Sequence, residues 1–215
     1  MAMNIKWWGH ACFSIRTADN TTILTDPYPG NIGYASIAEA ADIVTVSHDH
    51  FDHNAVDKLS GNPLIIKTTG KHKAAGITIT GITSFHDNVQ GSKRGSNIIY
   101  VIEADGWRLA HFGDLGTALT TEQLQAIGQI DIVMIPVGGH YTIDAQTAFE
   151  QVQAMKPKVV LPMHYKTEVL DFPIQPVTAF TELFDSTQVR WMESAEITLE
   201  SLPQDMMVYV LQYVK

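Results

Sequence analysis

The chain has 215 residues, 45% of them hydrophobic, which is enough to bury a sizeable core and fits one large domain spanning 1–215. Its formal charge of −9 argues against a nucleic-acid backbone or an anionic membrane surface as the main partner, because both select basic stripes. Cys12 is the single cysteine, so an internal disulfide and a thiolate-rich zinc site are excluded, as suits a reducing cytoplasm.

The first quarter reads as short strands. "NIKWW", "ACFSIRT" and "TTILTD" are rich in β-branched and aromatic residues and are separated by Gly-His and Asp-Asn turn signals. A Pro/Gly-rich loop, "PYPGNIGY" (27–34), leads into the Ala-rich "ASIAEAAD" (35–42), predicted as a short helix feeding a buried strand, "IVTVS". "NAVDKLS" (54–60) suits one or two helical turns with Asn54 as N-cap, "PLIIKT" a strand, and "GKHKAAG" (70–76) a short helix closed by glycine. "GITITGITSFH" alternates as a strand, and "NIIYVIEADGWRLAHFGD" is a hairpin turning at Asp105-Gly106. "TTEQLQAIGQI" carries a helix-start signature at Thr120 or Thr121, and "DIVMIPV" is a nearly all-apolar strand. The end mixes both types: "DAQTAFEQVQAMKP" and "VTAFTELFDS" as helices, "KVVLPMH", "QVRWM" and "DMMVYVLQYV" as strands. Strand runs interleaved with surface helices predict an α+β fold, a four-layer αββα sandwich. No basic segment followed by a long apolar stretch opens the chain, and no run approaches the roughly 18 apolar residues of a membrane span, so a cytoplasmic location is expected.

The octapeptide "SHDHFDHN" (47–54) falls just after a predicted strand, where α/β folds place functional loops. Imidazole and carboxylate are natural ligands of Zn2+. In H-x-H-x-D-H the alternating His48 and His50 can reach one ion, while the adjacent Asp52 and His53 point at a second. Each ion needs further ligands, and three strand ends supply them: His86 in "SFHD", Asp114 in "HFGDLG" and His164 in "VLPMHY". The predicted sets are His48, His50, His86 and Asp114 for one ion, and Asp52, His53, Asp114 and His164 for the other, with Asp114 bridging. Two divalent ions, Zn2+ first with Mn2+ or Fe as alternatives, are therefore the expected cofactors.

Together "WWGHACFSI", "TTILTDP", "SHDHFDHN", "HFGDLG", "PVGGHYTID" and "LPMHYKT" resemble the metallo-β-lactamase-fold hydrolases, nearly from end to end. The likeness is to a short prokaryotic branch similar to L-ascorbate-6-phosphate lactonases. The resemblance implies an αββα fold, a binuclear site and hydrolysis through a metal-bridging hydroxide, with Asp52 holding the hydroxide's proton and later donating it to the leaving group. Ligand spacing in similar proteins favours His86 over its rival His111, leaving His111 beside the ligands or buried. Di-iron oxygen-reducing members usually place Glu where this chain has His50. Members acting on RNA or resembling glyoxalase II carry additions that 215 residues do not accommodate.

The expected substrate is therefore a small anionic ester, a lactone or a phosphodiester, with no nucleic-acid or membrane partner. An iron-dependent oxidoreductase and a non-catalytic, metal-stabilised binding module are the alternatives. Asp26 in "LTDP" is expected to orient a ligand. His140 in "GGHYTID", with Tyr141 beside it, is expected either to contact substrate and serve catalysis or to pack within its loop. The 87–97 loop, holding Lys93 and Arg94, is expected either to close over an anionic substrate or to be an ordinary exposed turn. Cys12, Trp7, Trp8 and Trp107 read as packing residues, with the tryptophan-rich strands allowing a homo-oligomer, and His72 is expected to face solvent.

Overall fold

The computed structural model describes residues 2–30 and 32–215, so Met1 and Asn31 of the predicted 27–34 loop lie outside the described residues. In chain order the elements are β1 (Met3–Gly9), β2 (Cys12–Arg16), β3 (Thr22–Thr25), β4 (Ile43–Thr45), β5 (Leu64–Ile66), β6 (Gly70–Ala74), β7 (Ile77–Phe85), β8 (Ser96–Ala104), β9 (Trp107–His111), α1 (Thr121–Ile127), β10 (Ile132–Pro136), α2 (Ala145–Met155), β11 (Val159–Met163), α3 (Thr178–Thr181), β12 (Val189–Trp191), β13 (Glu196–Leu199) and β14 (Met207–Val210). They form a 6-stranded sheet, β13-β1-β2-β3-β4-β5, and an 8-stranded sheet, β12-β14-β11-β10-β9-β8-β7-β6.

Side-chain parity on the six-stranded sheet explains how the layers stack. Trp7, Phe13, Ile15, Ile23 and Ile43 join the core shared with β7 to β11, whereas their neighbours Trp8, Cys12, Leu24 and Val44 face the opposite way. That opposite face is covered by Tyr28, Ile32, Tyr34, Leu170 and Ile174. β10 and β11 are buried on both faces and pair in parallel, the reason "IVMIP" and "VVLPM" show continuous apolar runs. Parallel neighbours need a crossover, and α2 supplies it. Since the other sheet occupies the inner face, the crossover helix lies outside, with Ala148 and Val152 turned into the core. α1 begins in a capping box, where Thr120 and Gln123 exchange side chain to backbone hydrogen bonds. Among the described residues, no helix is long and apolar enough to cross a membrane.

Four local predictions are corrected. The 35–42 stretch is not helical: Ile37 and Ala41 pack on the outer cluster, and Glu39 accepts from Lys6, Ser14 and Arg16, so contacts with β1 and β2 override alanine's propensity. Residues 70–74 form β6, paired antiparallel with β7 from Gly70↔Gly81 to Ala74↔Ile77. The Ala75-Gly76 pair, with φ of 49° and 75°, is the two-residue turn of that hairpin rather than a helix end. Residues 54–60 hold a single 3-10 turn, Val56–Lys58, and Asn54 bonds Asp49 and Lys67 instead of capping it. The predicted 177–186 helix shortens to α3. β13 adds a strand to those predicted, with Ile197 and Leu199 alternating inward against β1.

β3 and β4 run parallel, and so do β9, β10 and β11; β7 shares the β9 direction because both are antiparallel to β8. The loops after β4, β7, β9 and β11 carry all the predicted metal ligands.

Candidate metal centre

Asp26, at the end of β3 with φ of 41°, organises the loop that follows β4. Its carboxylate accepts from the Ser47 backbone N–H at 2.7 Å, the Ser47 hydroxyl at 2.5 Å and the His53 Nδ1–H at 2.9 Å. With its proton committed to Asp26, the Ser47 hydroxyl accepts from His48 Nδ1–H at 2.9 Å. Both imidazoles are thereby fixed as Nδ1–H tautomers, which leaves the Nε2 lone pairs of His48 and His53 for a ligand. Asp26 is fully buried in a left-handed backbone conformation, a strain that its three hydrogen bonds sustain.

Those lone pairs converge on Asp114. Its Oδ2 lies 3.1 Å from His86 Nε2, 3.2 Å from His164 Nε2, 3.3 Å from His53 Nε2 and 3.9 Å from His48 Nε2. His48, His50 and His86 each offer a ligand atom, and these lie within 4.8 Å of one another; His10, His53 and His164 form a second such group. Asp52 Oδ2 stands 4.0 Å from His53 Nε2. The close approach of the loops depends on glycine. A Cβ on Gly116 would come within 2.2 Å of the His86 carbonyl carbon, and one on Gly138 within 2.2 Å of the His164 carbonyl oxygen.

The chemistry of the cluster fits divalent metal. Among the described residues, buried His48 Nε2, His53 Nε2 and Asp114 Oδ1 have no hydrogen-bond partner. Leaving such atoms unpaired costs about 1–3 kcal/mol each, a cost that coordination would remove. Protonation points the same way. Burial and the neighbouring His53 lower the His48 pKa to about 3, and burial also lowers His50. Burial opposes ionisation of Asp114, but His164 and His53 outweigh it and hold the carboxyl well below its ordinary range. His53 runs the other way: burial works against its charge, yet Asp114 and Asp26 hold its pKa well above 6.5 in the metal-free protein, so a metal bound at its Nε2 would displace a proton.

These shifts set the acid response of the metal-free protein. Burial, with His164, lowers His10 to about 4, and burial also lowers His111. Together with His48 and His50, these groups take up protons near pH 6.5 when unfolded but resist them when folded, so stability is lost as pH falls below 6.5. His53 contributes in the opposite sense: its share is complete below 6.5 and lost as pH rises through its raised pKa. The lowered carboxyls Asp26, Asp52 and Asp114 contribute above 3.8 and lose that contribution below it. The melting temperature of metal-free protein is thus expected to fall from pH 7 to about pH 5 and more steeply below about pH 4. A flat profile over that range contradicts this balance.

His50, Asp52, His86, Asp114 and His164 floor a cavity of about 500 Å3 walled by Asp49, Phe51, Arg94, Tyr141 and Phe172. The predicted substrate residues divide. Arg94 lies over the Tyr141 ring, 5.3 Å from its centroid, and both line the cavity. Lys93 is exposed and does not line it. His140 is not brought to the cavity either: its backbone turns at φ of 59°, and the exposed imidazole packs edge-on against Tyr141. His111 is buried away from the donors, its Nε2–H donating to Ala11 O at 2.8 Å while Nδ1 accepts from Gly113 N–H. His72 is half-buried on β6 and donates from Nε2 to Thr68 O at 3.1 Å.

Asn97, which no motif marks, is fully buried at the start of β8. Its Oδ1 accepts from Asp114 N–H at 3.0 Å, and its Nδ2 donates to Ser84 Oγ and Phe112 O. An asparagine heading an apolar strand gives no sequence signal, because its partners lie on other elements. Asn97→Ala orphans these groups and is expected to cost the metal-free protein about 1–3 kcal/mol in urea unfolding; an unchanged midpoint would contradict the bracing role.

Comparison with known proteins decides the family. Residues 4–164 match the model of the beta-lactamase superfamily domain. The chain belongs to this superfamily. A UPF0173 metal-dependent hydrolase of Thermoplasma volcanium is 32% identical over 193 residues, covering 78% of this chain and 85% of the relative. A second, from Thermoplasma acidophilum, is 30% identical over 190 residues, covering 77% and 84%. A solved structure of a metallo-beta-lactamase superfamily protein from Thermotoga maritima is 37% identical, with a TM-score of 0.85 over 99% of this chain and 100% of that one. A metallo hydrolase from Ignicoccus hospitalis is 25% identical, with a TM-score of 0.71 over 94% and 100%. The protein is a metal-dependent hydrolase of the metallo-beta-lactamase superfamily. None of these four relatives is described as an ascorbate-6-phosphate lactonase, so that narrower likeness rests on motifs alone.

Proposed function

We propose that the protein is a binuclear hydrolase of a small anionic ester, a lactone or a phosphodiester. The supporting observation is the single carboxylate of Asp114 set among imidazoles from two sides. His48, His50 and His86 would hold one ion, and Asp52, His53 and His164 the other, with Asp114 between them. Two divalent ions bound there, Zn2+ or alternatively Mn2+ or Fe, would acidify a shared water and polarise the ester oxygen.

The chain's own groups supply the remainder. Asp52 lines the cavity; burial disfavours its charge, but His10 and His53 outweigh that and keep the carboxylate ionised. It is suited to take the proton of the attacking water and return it to the leaving oxygen. Arg94 has no carboxylate partner among the described residues and is the cationic side chain in the cavity wall. Its backbone is preset by Asp87, whose carboxylate accepts from the N–H groups of Val89, Gly91, Lys93 and Arg94 at 2.8–2.9 Å. A guanidinium held in this way suits a carboxylate or phosphate on the substrate, with Phe51, Tyr141 and Phe172 packing the apolar part.

Screening metal-loaded protein against phosphodiesters, lactones and thioesters tests this assignment. Turnover of an anionic ester is expected; oxygen uptake by the iron form with no ester hydrolysis would replace hydrolysis with redox chemistry. On the best substrate, Arg94→Ala is expected to raise KM about 10- to 100-fold, the worth of a charged hydrogen bond, with little change in kcat. An unchanged KM removes Arg94 from recognition.

A further inference from the structure

His10 is fully buried beside the metal donors, yet the proposed chemistry gives it no ligand role. We propose that His10 is a positioning residue for Asp52: its Nε2–H donates to Asp52 Oδ2 and holds the carboxylate where that oxygen stands 4.0 Å from His53 Nε2. This inference rests on the binuclear reading of the site.

The turn between β1 and β2 is built to place this ring. Pairing shifts register between Trp7 and Gly9, and Gly9 and His10 take φ of 118° and 53°. A side chain at Gly9 would meet the Tyr34 ring at 2.4 Å, so glycine is required for the turn to close. The carbonyl of His10 then accepts twice, from Trp7 Nε1–H and from the His164 backbone N–H, each at 3.1 Å. One residue thus ties the first hairpin to the loop of a predicted ligand.

The imidazole has little freedom. Its centroid lies 4.8 Å from that of His53 and 4.3 Å from that of His164, and Phe172 closes the side edge-on at 5.7 Å. In this enclosure His10 Nε2 sits 3.1 Å from Asp52 Oδ2. Among the described residues this is the one side-chain hydrogen bond Asp52 makes, so without it the carboxylate is free to rotate on its loop. His10 also falls in one group with His53 and His164, which raises direct coordination as the rival role. The Nε2 engagement with Asp52 favours positioning, because a nitrogen donating its proton has no lone pair to offer a metal; Nδ1, buried and without a partner among the described residues, is the atom through which the rival role would act.

Zinc titration of the metal-free protein separates these roles without reference to activity. Wild type is expected to take two equivalents. His10→Gln places an amide N–H near the Nε2 position and is expected to stay close to wild type at both steps. His10→Asn is too short to reach Asp52 and is expected to weaken the second step about 10- to 100-fold while leaving the first unchanged. A melting curve of each metal-free variant checks that both are folded, and the two amides are similar enough that a general packing defect would affect them alike. Equal weakening by Gln and Asn, or none by Asn, overturns the proposal. A wild type that binds a single equivalent instead rejects the binuclear reading on which it stands.

Discussion

Asp114→Ala is expected to leave less than one tightly held metal equivalent per chain and to lower kcat/KM by on the order of 10³-fold or more, about 4 kcal/mol of transition-state stabilisation. The expectation follows from placement. Asp114 is 2% exposed, and its Oδ2 lies within 3.3 Å of Nε2 atoms from His53, His86 and His164, which come from three different loops. In the binuclear reading proposed above it is the acidic residue common to both ligand sets, so its removal would leave each set short of a ligand and take away the charge that would balance two dications. Asp114→Asn keeps the shape and the Asn97 contact to its backbone but loses that charge, and is expected to fall between wild type and alanine. Metal analysis after gel filtration, paired with initial rates, reads both effects. Two retained equivalents in Asp114→Ala would show that the carboxylate does not join the sites.

Asp52→Ala removes a proposed ligand of the second ion together with the proposed acid–base group. The His48, His50 and His86 group does not include Asp52, so one equivalent is expected to remain, whereas kcat is expected to fall about 10²- to 10⁴-fold, the range for losing a positioned acid–base group. The split from Arg94→Ala is diagnostic: Asp52 acts on kcat, Arg94 on KM. A pH profile gives a second reading. The Asp52 carboxyl lies below its ordinary range, so the wild-type acid limb is not expected to arise from its protonation above pH 3.8. Full activity in Asp52→Ala would remove it from the mechanism.

The residues that gather around Asp114 are legible in the sequence because each follows an apolar strand. The strand gives the position, and the His or Asp just beyond it gives the chemistry, so His86, Asp114 and His164 were readable beside "SHDHFDHN". The sandwich was legible for a related reason, since the strands around the core alternate or run continuously apolar. What failed was local and depended on tertiary partners. Residues 35–42 carry helix-forming alanines, but Glu39 is drawn to Lys6, Ser14 and Arg16. Residues 70–76 carry a helical pattern, but β7 supplies a pairing partner and Ala75-Gly76 a turn. His10 and Asn97 were invisible as site residues because their partners, Asp52 and Asp114, lie 42 and 17 residues away. His140 shows the reverse: glycines before it suggested an approach to the metals, but the turn they permit carries its ring to the surface.

In the proposed function one carboxylate, that of Asp114, joins two metal sites. Crystals of zinc-loaded protein, with anomalous differences recorded on both sides of the zinc edge, test it most directly. Two zinc peaks per chain are predicted, one within coordinating distance of His48, His50 and His86, the other of Asp52, His53 and His164, with Asp114 bonded to both. A single peak, or two peaks that do not share Asp114, would contradict the account.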